Sequence, residues 1–299
     1  MTGMFLATLL SDAVEPVALA PPLLRSGGGP GWGHLELGLE RRNGKTAVVR
    51  LFQQAPLRAF LPRHDSGELA VAALANVGGG LVGGDRSAID IRLGDGAAAL
   101  VTTQAAEKVY RSLGADCRVD TRLDVGDGAW LEWCPQETIL FDRARLRRSL
   151  ELSLHPGGRA MLCESLVLGR IASGERTKRG LLHDRIDIRV GGTLRWRDVF
   201  RLEGDFAPVL SAGAALCGAR AVATFAYAAT DAADALDIAR DRLPTTAVQA
   251  GATVVDGVLV ARFLAGDPLA LRGAFTQFLA AFRAAVAGLP PVLPRLWHV

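Results

Sequence analysis

The chain has 299 residues, 49% hydrophobic and 22% charged, a balance that supports a substantial core and argues against disorder. Its 34 basic and 31 acidic residues leave a formal charge of +3, too small a surplus for a nucleic-acid-binding protein, which concentrates basic residues on one face. The longest stretch without a charge, 69–84, has 16 residues and five glycines, short of the roughly 20 apolar residues of a membrane-spanning helix.

From the N-terminus, an apolar run at 4–10 has no basic residue before it and Asp12 shortly after, which makes a poor signal peptide. The chain is therefore expected to be cytoplasmic. A soft glycine-rich segment follows at 26–31. Gly78, Gly80 and Gly83 fit the spacing GxGxxG, but residues 89–93 (IDIRL) alternate like a strand, so the helix that a dinucleotide loop needs is missing. There is no GxxxxGK[ST], GxSxG or HExxH, and the five histidines follow no ligand spacing.

The middle of the chain reads as strands. Residues 149–155 (SLELSLH) and 186–190 (IDIRV) alternate with the period of two that a strand with one buried face requires. Similar phrases recur: RLGDGA at 92–97, VGDGA at 125–129, LHPGG at 154–158 and VGGT at 190–193, each leading into another apolar run. Taking Gly96, Gly128, Gly158 and Gly192 as markers, the spacings are 32, 30 and 34. Each phrase reads as a hairpin, and the near-regular repeat suggests layers that bury one another's apolar faces. The densest basic stretch, Arg143, Arg145, Arg147 and Arg148, reads as a solvated strand edge, with a grip on an anionic partner as the alternative. Cys117, Cys134, Cys163 and Cys217 form no CxxC pair and read as reduced, buried residues.

The last third changes period. Residues 231–243 carry a helical stripe with Thr230 or Asp231 as cap, 253–260 a hairpin around Asp256-Gly257, and Asp267-Pro268 opens a second helix ended by Gly288 and Pro290. The expectation is a mainly β protein of stacked antiparallel sheets in β-helix-like layers, with two α-helices in the C-terminal half. No linker divides residues 1–299, so a single domain is expected.

Five phrases in order resemble the UreD (UreH) family of urease accessory proteins: GGLVGGD at 79–85, TTQAAEKVYRS at 102–112, LEWCPQETILF at 131–141, LGR at 168–170 with GE at 174–175, and LPRLW at 293–297. The resemblance covers about 31–299 and leaves 1–30 as an N-terminal extension. It implies stacked sheets with two helices, and a non-catalytic maturation factor. Such a factor binds UreF directly and the GTPase UreG through UreF, then docks on apo-urease while nickel passes to the active site. No cofactor is expected to be held stably, nickel being in transit, and neither nucleic acid nor membrane is expected as a partner. The lack of a thiolate or imidazole cluster suits passage, since carboxylates hold a divalent ion less firmly.

The acidic path implied by the resemblance falls on Asp85, Glu164, Asp198 and Glu68, with Arg170 and Glu175 in support. Asp85 could equally cap its glycine turn. Glu164 is either on an exposed strand face or buried beside Arg170 or Arg159. Asp198 could instead form a surface ion pair with Arg195, Arg197 or Arg201. Arg86 follows Asp85 where relatives often carry an acid, and Lys108, Tyr110 and Arg111 read as structural or partner-binding. The competing reading is a stacked-β polysaccharide hydrolase or lyase using Glu132, Glu137 and Asp142 beside Trp130 and Trp133.

Overall fold

Strict alternation in the sequence becomes two facing sheets in the structure, a computed structural model that describes residues 31–62, 69–245 and 247–298. The N-terminal extension with its apolar run, and Glu68, lie outside the described residues. Chain order begins with the hairpin β1 (Trp32–Arg42) and β2 (Lys45–Gln54), then β3 (Leu57–Phe60) and β4 (Ala70–Asn76). Three coils follow: β5 (Arg86–Leu93) with β6 (Ala98–Thr103), β8 (Cys117–Val125) with β9 (Trp130–Cys134), and β11 (Arg145–Leu154) with β12 (Arg159–Leu168). The short strands β7 (Glu107–Val109) and β10 (Thr138–Leu140) continue β6 and β9 after a kink.

In each coil the first strand lies in sheet 1, ordered β14 (Thr193–Asp205)-β13 (Arg179–Val190)-β11-β8-β5-β1-β2, and the second in sheet 2, ordered β16 (Gln249–Val255)-β17 (Val258–Ala265)-β15 (Ala221–Ala228)-β12-β9-β6-β4-β3. The stacked-layer expectation holds, but the glycine phrases at 92–97, 125–129 and 154–158 are corners between sheets rather than hairpins. Consecutive coils therefore run the same way, and β5, β8 and β11 pair in parallel, as do β4, β6, β9 and β12. Antiparallel pairing is kept for the ends, in β1–β2, β3–β4, β12–β15 and the pairs beyond them. The reason is packing. A corner turns the apolar faces of both arms toward each other, whereas a hairpin leaves them side by side in one sheet.

The corners stack on one another through their aspartates. Asp95 Oδ1 accepts from Asp127 N and Asp127 Oδ1 accepts from Gly157 N, both at 2.8 Å. Gly96 and Gly128 sit at φ of 64° and 61°, the left-handed region that glycine enters freely. Only the fourth phrase is a hairpin, joining β13 (Arg179–Val190) to β14 (Thr193–Asp205).

Beyond β14 come the short helix α1 (Ala207–Ser211), β15 (Ala221–Ala228), α2 (Ala235–Arg240), the hairpin β16 (Gln249–Val255) and β17 (Val258–Ala265), and α3 (Pro268–Ala287). The five-residue α1 is additional to the two expected helices. The first of those shortens to α2 because Asp231 does not cap it: its carboxylate accepts from Arg159 at 2.9 Å and from the Tyr227 hydroxyl at 2.7 Å. The second forms as expected, with Asp267 accepting from Leu269 N and Ala270 N and Gly288 left-handed at its end. α3 covers the far face of sheet 2, where Phe225 meets Phe278 and Phe282 at 5.1 and 4.9 Å. Burying each such ring contributes roughly 1.5–3 kcal/mol. Hence β15 is buried along its whole length. No helix among the described residues is long and apolar enough to cross a membrane.

Candidate functional site

Two apolar clusters fill the space between the sheets, and a polar layer one residue thick separates them. Along β11, Leu146 belongs to one cluster and Leu150 to the other, with Arg148 between them. The same change occurs at Glu164 between Leu162 and Leu166, at Asp184 between Leu182 and Ile186, and at Thr224 between Val222 and Ala226. On β14, Asp198 sits between Trp196 and Leu202. Register explains the alignment: Arg148 pairs with Asp184, Ile186 with Asp198, Glu164 with Thr224 and Thr224 with Arg262.

Arg148 is the hub of this layer. It donates to Asp184 from Nε at 2.9 Å and from Nη2 at 2.5 Å, and from Nη1 to Glu164 at 2.6 Å and Thr138 Oγ1 at 3.2 Å. Glu164 also accepts from Trp133 Nε1 at 2.8 Å. Asp198 accepts from Arg262 at 2.7 Å. Arg148, Glu164, Asp184, Asp198 and Arg262 line a cavity of about 10 Å³, enough for one water. Burial pushes the Glu164 carboxyl above its ordinary range, Arg148 opposes that, and the charge of Asp184 adds to it. Burial alone would lower the Arg148 guanidinium, but Asp184 and Glu164 raise it, so it stays charged.

The structure thus brings together Glu164 and Asp198, 34 residues apart in sequence. It corrects their expected partners. Glu164 is buried, but its cation is Arg148 and neither Arg170 nor Arg159. Asp198 takes Arg262, because Arg197 turns outward to Asp187, Arg195 to Asp256 and Arg201 to Glu203. The basic stretch 143–148 is no strand edge: β11 lies between β8 and β13, and Arg148 faces inward. An arginine within the inward stripe Leu146, Arg148, Leu150 was the signal that could have revealed it.

Asp85 stands apart from the layer. Its Oδ2 accepts from Val82 N at 2.8 Å, closing the glycine turn that precedes β5. Tyr110 steadies the turn through Gly79 O at 3.0 Å, a structural role. Gly80 is required there, because a Cβ would lie 2.5 Å from the Tyr110 ring and 2.7 Å from Lys108 O. The neighbouring half-buried Glu107, which sequence reasoning did not single out, accepts from Asn76 at 3.3 Å. Burial pushes its carboxyl up to about 7, against the Asn76 and Lys108 N–H groups and helped by the charge of Asp85. Arg86 turns away to lie over Trp32 at 5.8 Å.

Arg170 and Glu175 pair with each other at 2.5 Å. Arg170 also lies 4.5 Å from the Phe141 ring, and Glu175 Oε1 accepts from Asp142 N at 2.8 Å. They order the loop after β12 and make no bond to Glu164.

The hydrolase residues do not assemble. Fully buried Glu132 pairs with Arg283 at 3.1 Å and accepts from Trp130 Nε1 at 3.0 Å. Glu137 pairs with Arg272 at 3.1 Å, and Asp142 accepts from Lys178 N and Arg179 N. Both tryptophans are buried with their ring N–H groups committed, leaving no stacking platform for a sugar. Among the cysteines, Cys117, Cys134 and Cys163 are buried and Cys217 is exposed. Among the described residues no group of three or more His, Cys, Asp or Glu is arranged to hold a metal ion. The LPRLW phrase clamps sheet 2, with Trp297 Nε1 donating to Thr102 at 3.1 Å and Gln136 donating to Leu296 O at 2.6 Å.

Comparison with known proteins gives a consistent result. A family model described as UreD urease accessory protein matches residues 31–298. A protein of Magnetococcus marinus named urease accessory protein UreD is 39% identical over 272 residues, covering 89% of this chain and 94% of its own. Urease accessory protein UreD 2 of Methylorubrum populi is 42% identical over 259 residues, covering 86% and 85%. A UreD of Methylobacterium sp. strain 4-46 is 42% identical over 260 residues, covering 85% and 90%.

Proposed function

The chain belongs to the UreD family of urease accessory proteins, and from that premise we propose that it is a non-catalytic scaffold that conducts nickel to apo-urease. In this reading it binds UreF directly, meets the GTPase UreG through UreF, and works in the cytoplasm as one domain. Nickel is cargo and not a resident cofactor.

The observation that supports conduction is the polar layer through the apolar interior. Carboxylates buried between sheets are costly unless they are paired, and here the buried Glu164 and the partly buried Asp184 and Asp198 meet two guanidinium groups, Arg148 and Arg262. Oxygen ligands hold a divalent ion loosely enough to release it. Arg148 occupies the place a cation would take between Glu164 and Asp184, so transit requires the guanidinium to swing aside. Asp85, immediately before β5, provides a separate, partly exposed carboxylate whose charge acts on Glu107.

Co-expression with UreF should give a stable complex, and failure of two folded proteins to co-purify would sink the scaffold reading. Asp85→Ala and Glu164→Gln should leave that complex intact while lowering nickel-dependent urease activation. Full activation in both variants would leave these acids as fold residues only.

A further inference from the structure

We propose that the outward face of sheet 1 is a docking surface for an acidic strip of a partner protein, centred on an in-register row of basic side chains. Arg86 pairs with Arg118, Arg118 with Arg147, Arg147 with His183, and His183 with Arg201. All five side chains point away from the facing sheet, because their neighbours Ser87, Val119, Arg148, Asp184 and Phe200 form the next, inward row. With neighbouring strands about 4.8 Å apart, the row spans roughly 19 Å.

Folding alone gives no reason for such a row, since like charges directly opposite on adjacent strands destabilise a sheet. Four residues further along, the same face carries a different row, in which every arginine has an acidic register neighbour. There Glu36, Asp90, Arg122, Glu151, Asp187 and Arg197 are register partners of mixed sign. Arg197 holds Asp187 at 2.7 Å. In the basic row, by contrast, Arg118 has no side-chain hydrogen bond or ion pair among the described residues. Arg147 shares Asp116 with Arg145 at 2.6 Å, and among the described residues Arg201 pairs with Glu203 alone. Counting Arg145, five guanidinium groups face those two carboxylates, an excess of three positive charges.

The chemistry favours protein carboxylates. Guanidinium groups bind carboxylates with paired, planar N–H donors. A single-stranded nucleic acid is held by basic residues interleaved with free aromatic rings, and the aromatic at this row, Trp32, is already covered by Arg86 at 5.8 Å. The row also borders the Asp85 turn, since Arg118 N donates to Asp85 O at 2.8 Å.

The test uses the full chain and a fluorescent polyglutamate peptide of about ten residues, with a single-stranded oligonucleotide of equal charge and phosphatidylserine vesicles as comparisons. Peptide binding should weaken with salt and fall about tenfold or more in Arg118→Glu/Arg201→Glu. It should be unchanged in Arg42→Glu, which reverses an exposed charge at the far end of β1. Equal loss in the control, no loss in the double variant, or tighter binding of oligonucleotide or vesicles would overturn the proposal. If the reversal lowers the melting temperature, Arg118→Gln/Arg201→Gln carries the same test, with about a threefold loss expected.

Discussion

Two buried arginine–carboxylate systems flank sheet 2, and they differ in what completes them. On the helix side, Nε of Arg283 on α3 donates to Glu132, and its Nη1 donates to Pro290 O at 2.8 Å and Val292 O at 2.6 Å. That pair is tied to the backbone of the C-terminal segment. Between the sheets, Arg148 is held by side chains alone and borders a cavity. The first arrangement fixes the tail. The second can rearrange without moving the chain, which is what a path for a cation requires.

Four measurements separate the two systems. Arg283→Met leaves Glu132 buried without a cation and should cost about 3–5 kcal/mol in denaturant unfolding. Nickel should not restore the loss. Arg148→Met should cost somewhat less, about 2–4 kcal/mol, because water can reach the layer and the raised Glu164 carboxyl can take up a proton. Here added Ni²⁺ should raise the melting temperature, by binding the folded state in place of the guanidinium. Equal responses to Ni²⁺ in the two variants would erase the distinction.

Glu107 tests what a half-buried carboxyl does without an arginine. Its folded value of about 7 lies above the ordinary 4.5, so the folded state holds the proton more firmly. The resulting stability is fully present below pH 4.5 and is lost as pH rises through about 7. Wild-type protein should lose on the order of 2–3 kcal/mol across that window, a slope that Glu107→Gln should remove in a pH series of unfolding curves. The smallest effect belongs to Asp198→Asn. Its bond to Arg262 is partly solvated, so about 1 kcal/mol or less is expected in the same assay.

Much of the architecture was legible because it rests on local chemistry. Alternation set the strands, the Gly-Asp-Gly phrases set the turns, and Asp267 with Pro268 set the start of α3. Parallel or antiparallel pairing was not legible, since a glycine turn can close a hairpin or cross between sheets. The choice depends on whether the next strand finds its partner beside it or one coil away.

The candidate site divides the same way. Sequence by itself determined that Glu164 interrupts an apolar run and needs a cation if buried, because an unpaired charge cannot stay in a core. Only the tertiary structure decided which cation. Arg170 and Arg159 are near in sequence, but each is committed elsewhere, to Glu175 and to Tyr227 with Asp231. Arg148 reaches Glu164 because β11 and β12 face each other across the gap between the sheets, and Arg262 reaches Asp198 over 64 residues for the same reason. Periodicity along one strand tells which side chains point inward. It carries no information about what the opposite sheet presents to meet them, since that is set by the stacking of whole coils.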